Sequence, residues 1–157
     1  ETLFNLSNHL NQNGLFMFYV YKQKAPVREF VDDFIRQKIS NLDNEEAWNQ
    51  LLPLTKLGIK LGELNQKIEI EEDIDLLGIP KGTFDLQRFF YWFFFKAYYD
   101  SNFPLEAMNH INFDWYRPLN CYRFKPDEIK NWLLENNFKI ENFKAEEAGI
   151  TIKAKKL

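Results

Sequence analysis

The chain has 157 residues, 45% hydrophobic and 27% charged, with a formal charge of −3. That length fits one globular domain or part of a larger protein, and the acidic balance argues against a nucleic-acid binder, whose footprint is a basic face. A lone cysteine, Cys121, rules out an intramolecular disulfide and suits a reducing compartment. No signal peptide is recognisable, and the most apolar window, residues 89–95, falls far short of the roughly 20 residues needed to span a bilayer. A soluble, cytoplasmic protein without stable membrane insertion is therefore expected. The first residue is Glu1 rather than methionine, which points to a processed or truncated start.

Residues 2–10 carry Leu3, Phe4, Leu6 and Leu10 at the spacing of the last turns of an amphipathic helix packed on a sheet. Asn13 and Gly14 supply the turn into residues 15–21, an unbroken apolar and aromatic run. Strands of this kind are buried on both faces, as in a parallel sheet covered by helices. Each parallel neighbour needs its own crossover, yet few residues precede the run, so partners on one side are expected to be missing. Pro26 then opens a helix with Val27, Phe30, Val31, Phe34, Ile35 and Ile39 as its apolar stripe. Arg28, Asp32, Asp33 and Arg36 take the other face.

Asp43 and Glu46 read as a capping box for a helix that carries Trp48, Leu51 and Leu52, breaks or kinks at Pro53, and resumes through Leu64. Residues 68–75 alternate but are too acidic for a strand, and read as an extended connector into a turn-rich loop over 76–82. Thr83 caps a helix over 84–100 whose apolar residues cover nearly the whole circumference, as in a helix buried among others or facing a greasy partner. Residues 110–118 show no clear period and read as a structured loop. Pro126 starts a further helix with Ile129, Trp132 and Leu133 on one face and Asn136-Asn137 as its stop. Residues 138–146 and 150–156 form a closing antiparallel hairpin.

With residues 22–124 lifted out, the remainder is a helix tail, a buried strand, a helix and a hairpin. At this point the sequence resembles the seven-stranded, S-adenosylmethionine-dependent methyltransferases of the type 11 group. Their turn into the fifth strand corresponds to Leu10-Asn-Gln-Asn-Gly14, and their last helix to Lys125-Pro-Asp-Glu-Ile129 running to Asn137-Phe138. Asn112-Phe-Asp-Trp-Tyr-Arg-Pro118 looks like their Phe-Asp-Trp-x-x-Pro element. The resemblance implies an α/β fold: the C-terminal part of a Rossmann-like sheet, with one parallel strand plus a terminal antiparallel hairpin and a large, mainly helical cap insertion. It implies core segments 1–21 and 125–157, a helical, aromatic-rich cap over 22–124, and three adjacent strands in the order fifth, seventh, sixth. The family's Gly-x-Gly-x-Gly turn is absent, because no two of the six glycines are separated by a single residue. S-adenosylmethionine would be held by a missing N-terminal half, no cofactor-binding residue is assigned in this chain, and the chain alone would be inactive.

The implied activity is methyl transfer to a small molecule, which needs in-line positioning of acceptor and sulfonium and sometimes a base. His110 beside Asp114 offers such a base, or a structural pair; His9 sits near a helix end, where the terminus favours it. Trp115, Tyr116, Arg117, Tyr122 and Arg123 either line the acceptor site, an arginine meeting an anionic group, or anchor the loop by stacking. Tyr19 and Tyr21 lie at the carboxyl end of the strand, where open α/β sheets bind ligands, or pack under the cap. The run 89–95 offers a wall for a lipophilic or aromatic acceptor, or the core of the cap. The acidic groups around Glu45 and Glu71 lack histidine or coordinating spacing and read as solvated surface, so no metal is expected. An alternative from another class is a noncatalytic helical module whose aromatic surface binds a protein or lipid partner. An orphaned strand edge favours association, including a homodimer.

Overall fold

The computed structural model describes residues 2–157, without the side chains of residues 2–4, so the expected packing of Leu3 and Phe4 lies outside the described residues. In chain order the elements are α1 (Thr2–Ser7), β1 (Leu15–Lys22), α2 (Pro26–Ile39), α3 (Asn44–Glu63), β2 (Lys67–Ile70), β3 (Gly82–Asp85), α4 (Leu86–Phe93), α5 (Leu105–Tyr116), β4 (Arg123–Phe124), α6 (Pro126–Glu135), β5 (Phe138–Ala145) and β6 (Gly149–Lys156). This mixed α/β chain divides into two compact units, Glu1–Gln23 with Tyr122–Leu157, and Lys24–Cys121. No described helix is long and apolar enough to cross a membrane.

The discontinuous unit is built on a four-stranded sheet of order β4-β1-β6-β5. β6 runs antiparallel to β1, from Leu15 opposite Lys155 to Tyr21 opposite Gly149, and antiparallel to β5 across a bulge between Ile140 and Asn142. Thus β1, β6 and β5 stand in the order expected for them. β4 runs parallel to β1 but pairs only at its end, Tyr21 opposite Arg123 and Lys22 opposite Phe124. Among the described residues, the rest of that β1 edge has no strand beside it. Ahead of the strand, Asn13 takes a left-handed φ of 66°, and a side chain on Gly14 would come within 2.8 Å of the Asn11 carbonyl. Lys156 Nζ donates to the Ser7 and Leu10 carbonyls at 2.7 and 2.9 Å, fastening the end of α1 and the turn after it to the last strand.

β1 is not buried on both faces. Its exposure alternates strictly, because α6 covers one face only. On that side Ile129, Leu133, Phe138, Ile150, Ile152 and Ala154 are at most 1% exposed, with Phe16, Phe18 and Val20 packed against them. Each large side chain so buried contributes about 1.5–3 kcal/mol. On the other side Leu15, Met17, Tyr19 and Tyr21 remain between 45% and 67% exposed. A continuous apolar run cannot distinguish these cases, since the alternation lies in coverage and not in residue type.

The inserted unit departs from expectation in several places. α2 buries Arg28, Asp32, Arg36 and Ile39, whereas Phe30 and Phe34 are 72% and 49% exposed. Arg28, Asp32 and Arg36 turn inward because each finds a hydrogen-bond partner there, while Asp33 stays 61% exposed and meets Arg36 from the surface. α3 begins at the expected capping box, with Asp43 Oδ1 accepting from the Glu46 N–H at 2.8 Å and Glu46 Oε2 accepting from the Asp43 N–H at 3.3 Å. It then continues through Pro53 without interruption. The missing hydrogen bond costs about 3 kcal/mol, and the burial of Ala47, Leu51, Thr55 and Gly58 along the same helix offsets it.

The acidic segment is partly a strand: β2 pairs antiparallel with β3 from Lys67 opposite Asp85 to Ile70 opposite Gly82. Thr83 therefore lies in a strand, and the N-cap of α4 is Asp85, whose carboxylate accepts from the Arg88 N–H at 3.0 Å. α4 ends at Phe93 instead of reaching residue 100. Beyond it the backbone trades helical bonds for side-chain partners. Lys96 N–H donates to the Tyr116 hydroxyl at 2.8 Å and Tyr98 N–H to Asn112 Oδ1 at 2.9 Å, while Gln87 Nε2 donates to the Ala97 carbonyl at 2.7 Å. Residues 110–116, expected as loop, belong to α5. Its inward face comprises Met108, Asn109, Asn112, Trp115 and Tyr116, and its period was hidden because two of these five are polar.

Candidate functional site

A concave feature of the discontinuous unit lies beside the open edge of β1. It is a groove of about 740 Å³ lined by Phe16, Phe18, Val20, Tyr122, Phe124 and Trp132, with Glu135 and Asn136 at its polar end. It exists because β4 covers only the last two residues of β1, leaving the α6-facing side chains partly uncovered. Phe124 packs edge-on against Trp132 at 5.2 Å and stacks with Tyr122 at 6.5 Å. The groove is apolar and aromatic, of a size that suits small-molecule sites. Tyr19 reaches this groove and also lies across the backbone of Gly149, where a side chain would collide with its ring. Burial, then the neighbouring Tyr21 and Glu146, raise its phenol above the ordinary value. Tyr21 meets Tyr19 edge-on at 5.8 Å and stands opposite Arg123 in the sheet.

The inserted unit gathers its polar side chains around Asp32, which is fully buried. Its carboxylate accepts from Arg28 Nε and Trp115 Nε1, both at 2.7 Å, and from the Tyr116 hydroxyl at 2.9 Å. Arg28 also donates to the Tyr91 carbonyl, and Arg36 to the Trp115 carbonyl at 3.1 Å. Burial and then Asp32 push the Tyr116 phenol well above its ordinary range. Lys96, whose Nζ lies 4.8 Å from the Trp115 ring and donates to the Ile111 carbonyl at 3.1 Å, is lowered to about 8, first by burial and then by Arg28. With three donors on one carboxylate and the guanidinium neutralising it, this arrangement ties α2, α4 and α5 together.

The expected site residues are thus divided. Tyr19 and Tyr122 share the groove, and Tyr21 and Arg123 adjoin the same strand end. Trp115 and Tyr116 lie on α5 rather than on a loop, 7% and 0% exposed in the core of the inserted unit. Arg117 is committed as well, donating to Asn44 Oδ1 at 2.9 Å and to the Leu42 carbonyl at 3.2 Å. His110 and Asp114 do meet, at 3.4 Å, one helical turn apart on the open face of α5 and 63% and 67% exposed. Phe84, Phe89 and Phe93 pack on one another at 5.4–5.9 Å, the core of a small aromatic cluster. The sequence reading missed Phe16, Phe18, Val20, Phe124 and Trp132 as groove residues. Their signal was the even-numbered face of β1 taken together with the α6 stripe.

For S-adenosylmethionine, the residues present do not fit. None of the six glycines opens a helix after a parallel strand, and the carboxyl end of β1 presents Tyr21 and Lys22 in place of a glycine turn or an acidic ribose partner. Among the described residues, no three His, Cys, Asp or Glu side chains gather as a metal group. No family model, curated protein or solved structure matches the chain.

Proposed function

We propose that this chain is the C-terminal, acceptor-binding portion of a methyltransferase that uses S-adenosylmethionine and acts on a small molecule. The observation that supports the reading best is the sheet: a strand, a reversed last strand beside it and a penultimate strand outermost, with an inserted unit between the first strand and α6. In this reading β1 is the fifth strand of a Rossmann-like sheet, and the parallel strands that carry the cofactor adjoin its open edge. The groove along β1, with Tyr19, Tyr122, Phe124 and Trp132, takes a lipophilic or aromatic acceptor. The unit 24–121 forms the cap. This chain's own part in catalysis is to position the acceptor and exclude water.

The test is to read the coding frame upstream of Glu1 for an apolar strand followed by Gly-x-Gly-x-Gly, and to titrate that longer polypeptide with S-adenosylmethionine and S-adenosylhomocysteine by calorimetry. Heat from the longer polypeptide, and none from residues 1–157 alone, is expected; silence from both ligands overturns the proposal. The rival reading, a noncatalytic interaction module for a protein or lipid partner, draws on Phe30 and Phe34, stacked at 6.5 Å on the open face of α2. A start codon adjoining Glu1 favours that module.

A further inference from the structure

The sheet face opposite α6 has a built chemical pattern. Leu15, Met17, Tyr19 and Tyr21 form one exposed row along β1. The register sets Lys155, Lys153, Thr151 and Gly149 beside them on β6, and Lys139, Asn142 and Lys144 beyond on β5. An apolar row is thus flanked, on its closed side only, by two rows that carry four lysines. Two glutamates share that flank, Glu141 paired with Lys153 at 2.9 Å and Glu146 with Lys144 at 2.6 Å. The Glu141 carboxyl is held below its usual range by the Lys153 hydrogen bond, with Lys155 and Lys139 adding to it. This flank is positive in a chain whose formal charge is −3.

We infer that this face docks an amphipathic helix with an acidic flank, its apolar stripe on Leu15, Met17, Tyr19 and Tyr21 and its carboxylates over Lys139, Lys153 and Lys155. The dimensions agree. Four alternate strand positions extend about 20 Å, which a helix of about 14 residues covers. The lysine rows stand about 5 and 10 Å to one side, one and two strand spacings away, within the half-width of such a helix and its side chains. Half of the apolar row, Leu15 and the 67% exposed Met17, gains from burial against aliphatic side chains but offers no ring for a base to stack on. That favours a helix over a single-stranded nucleic acid. The inference shares Tyr19 with the proposed acceptor groove and otherwise uses only the outer face and its charges.

The experiment is fluorescence anisotropy of the whole chain with three labelled probes. One is a synthetic helical peptide of about 14 residues with a leucine stripe and glutamate flanks, the second is the same stripe with lysine flanks, and the third is a single-stranded oligonucleotide. The glutamate peptide is expected to bind about tenfold tighter than the lysine peptide, and to weaken as salt rises. Lys139→Glu with Lys155→Glu, and separately Met17→Asp, are each expected to weaken it about tenfold, with melting curves checking that the variants remain folded. Tyr122→Ser, on the groove side, is expected to leave binding unchanged. Equal binding of both peptides, preference for the oligonucleotide, loss only with Tyr122→Ser, or no binding of any probe overturns the inference. Where a charge-reversal variant melts early, Lys139→Gln and the salt dependence of the unaltered chain decide the same question.

Discussion

Replacing Asp32 by leucine removes the acceptor of three buried donors while leaving the Arg28 guanidinium, 1% exposed, without its carboxylate. Breaking a buried ion pair from one side costs about 3–5 kcal/mol, and the stranded Trp115 N–H adds about 1–3 kcal/mol. Tyr116 adds little, because its hydroxyl can turn to the Lys96 carbonyl at 3.1 Å. The ion-pair loss alone lowers the melting temperature by about 6–20 °C in a chain of this length. The assay is urea unfolding followed by tryptophan fluorescence, since Trp48, Trp92 and Trp115 lie in the affected unit. A double variant, Arg28→Met with Asp32→Leu, exposes the cause. With both charges gone the desolvation penalty goes too, so it should recover at least about 1 kcal/mol relative to Asp32→Leu. If Asp32→Leu costs less than about 1 kcal/mol, or the double variant costs the sum of the two single ones, the Asp32 arrangement is not what ties these helices together.

Gly58→Ala should destabilise by about 1–3 kcal/mol, although alanine gains about 1 kcal/mol over glycine in an open helix interior. Its new Cβ would stand 2.6 Å from the Ala97 carbonyl oxygen, which is backbone and cannot swing aside; an unchanged or raised urea midpoint refutes that close approach. Lys96 predicts a pH dependence. Its ammonium is lowered from 10.5 to about 8, so between those values the unfolded chain binds more protons than the folded one and stability rises with pH. The gain by pH 10 is about 2–3 kcal/mol. Above pH 10 the raised Tyr116 and Tyr91 phenols reverse the slope, because there the folded chain holds the extra protons. Urea midpoints from pH 7 to 10 measure this, and Lys96→Met should flatten the rise; a rise that survives the substitution assigns it to another group.

Local signals were legible where their cause is local. The capping box at Asp43, the proline start and asparagine stop of α6, and the closing hairpin all follow from backbone chemistry within a few residues, and so does the turn at Asn13-Gly14. Helical patterning begins after Lys22, close to where the unit Lys24–Cys121 starts. What could not be read was which side of an element would be covered. Arg28, Asp32 and Arg36 look like a solvated stripe until Trp115 and Tyr116, more than 75 residues on, supply their partners. Trp115 and Tyr116 look like site residues for the same reason: an indole N–H and a phenol serve a buried carboxylate as readily as a substrate. The groove was missed because it belongs to no segment; it arises where β4 stops short of β1 and α6 lies behind.

The sequence by itself determined the elements with strong edges, the strand β1 and the closing hairpin. These depend on propensity, capping and period, which act over one or two turns. Only the tertiary structure decided that β1 has one open face and one open edge. It also decided that the charged stripe of α2 is core and the phenylalanines of α2 are surface, and that lysines from two strands stand beside the apolar row of a third. Those outcomes depend on which distant groups satisfy a buried charge and which faces are left uncovered, quantities that no single segment carries.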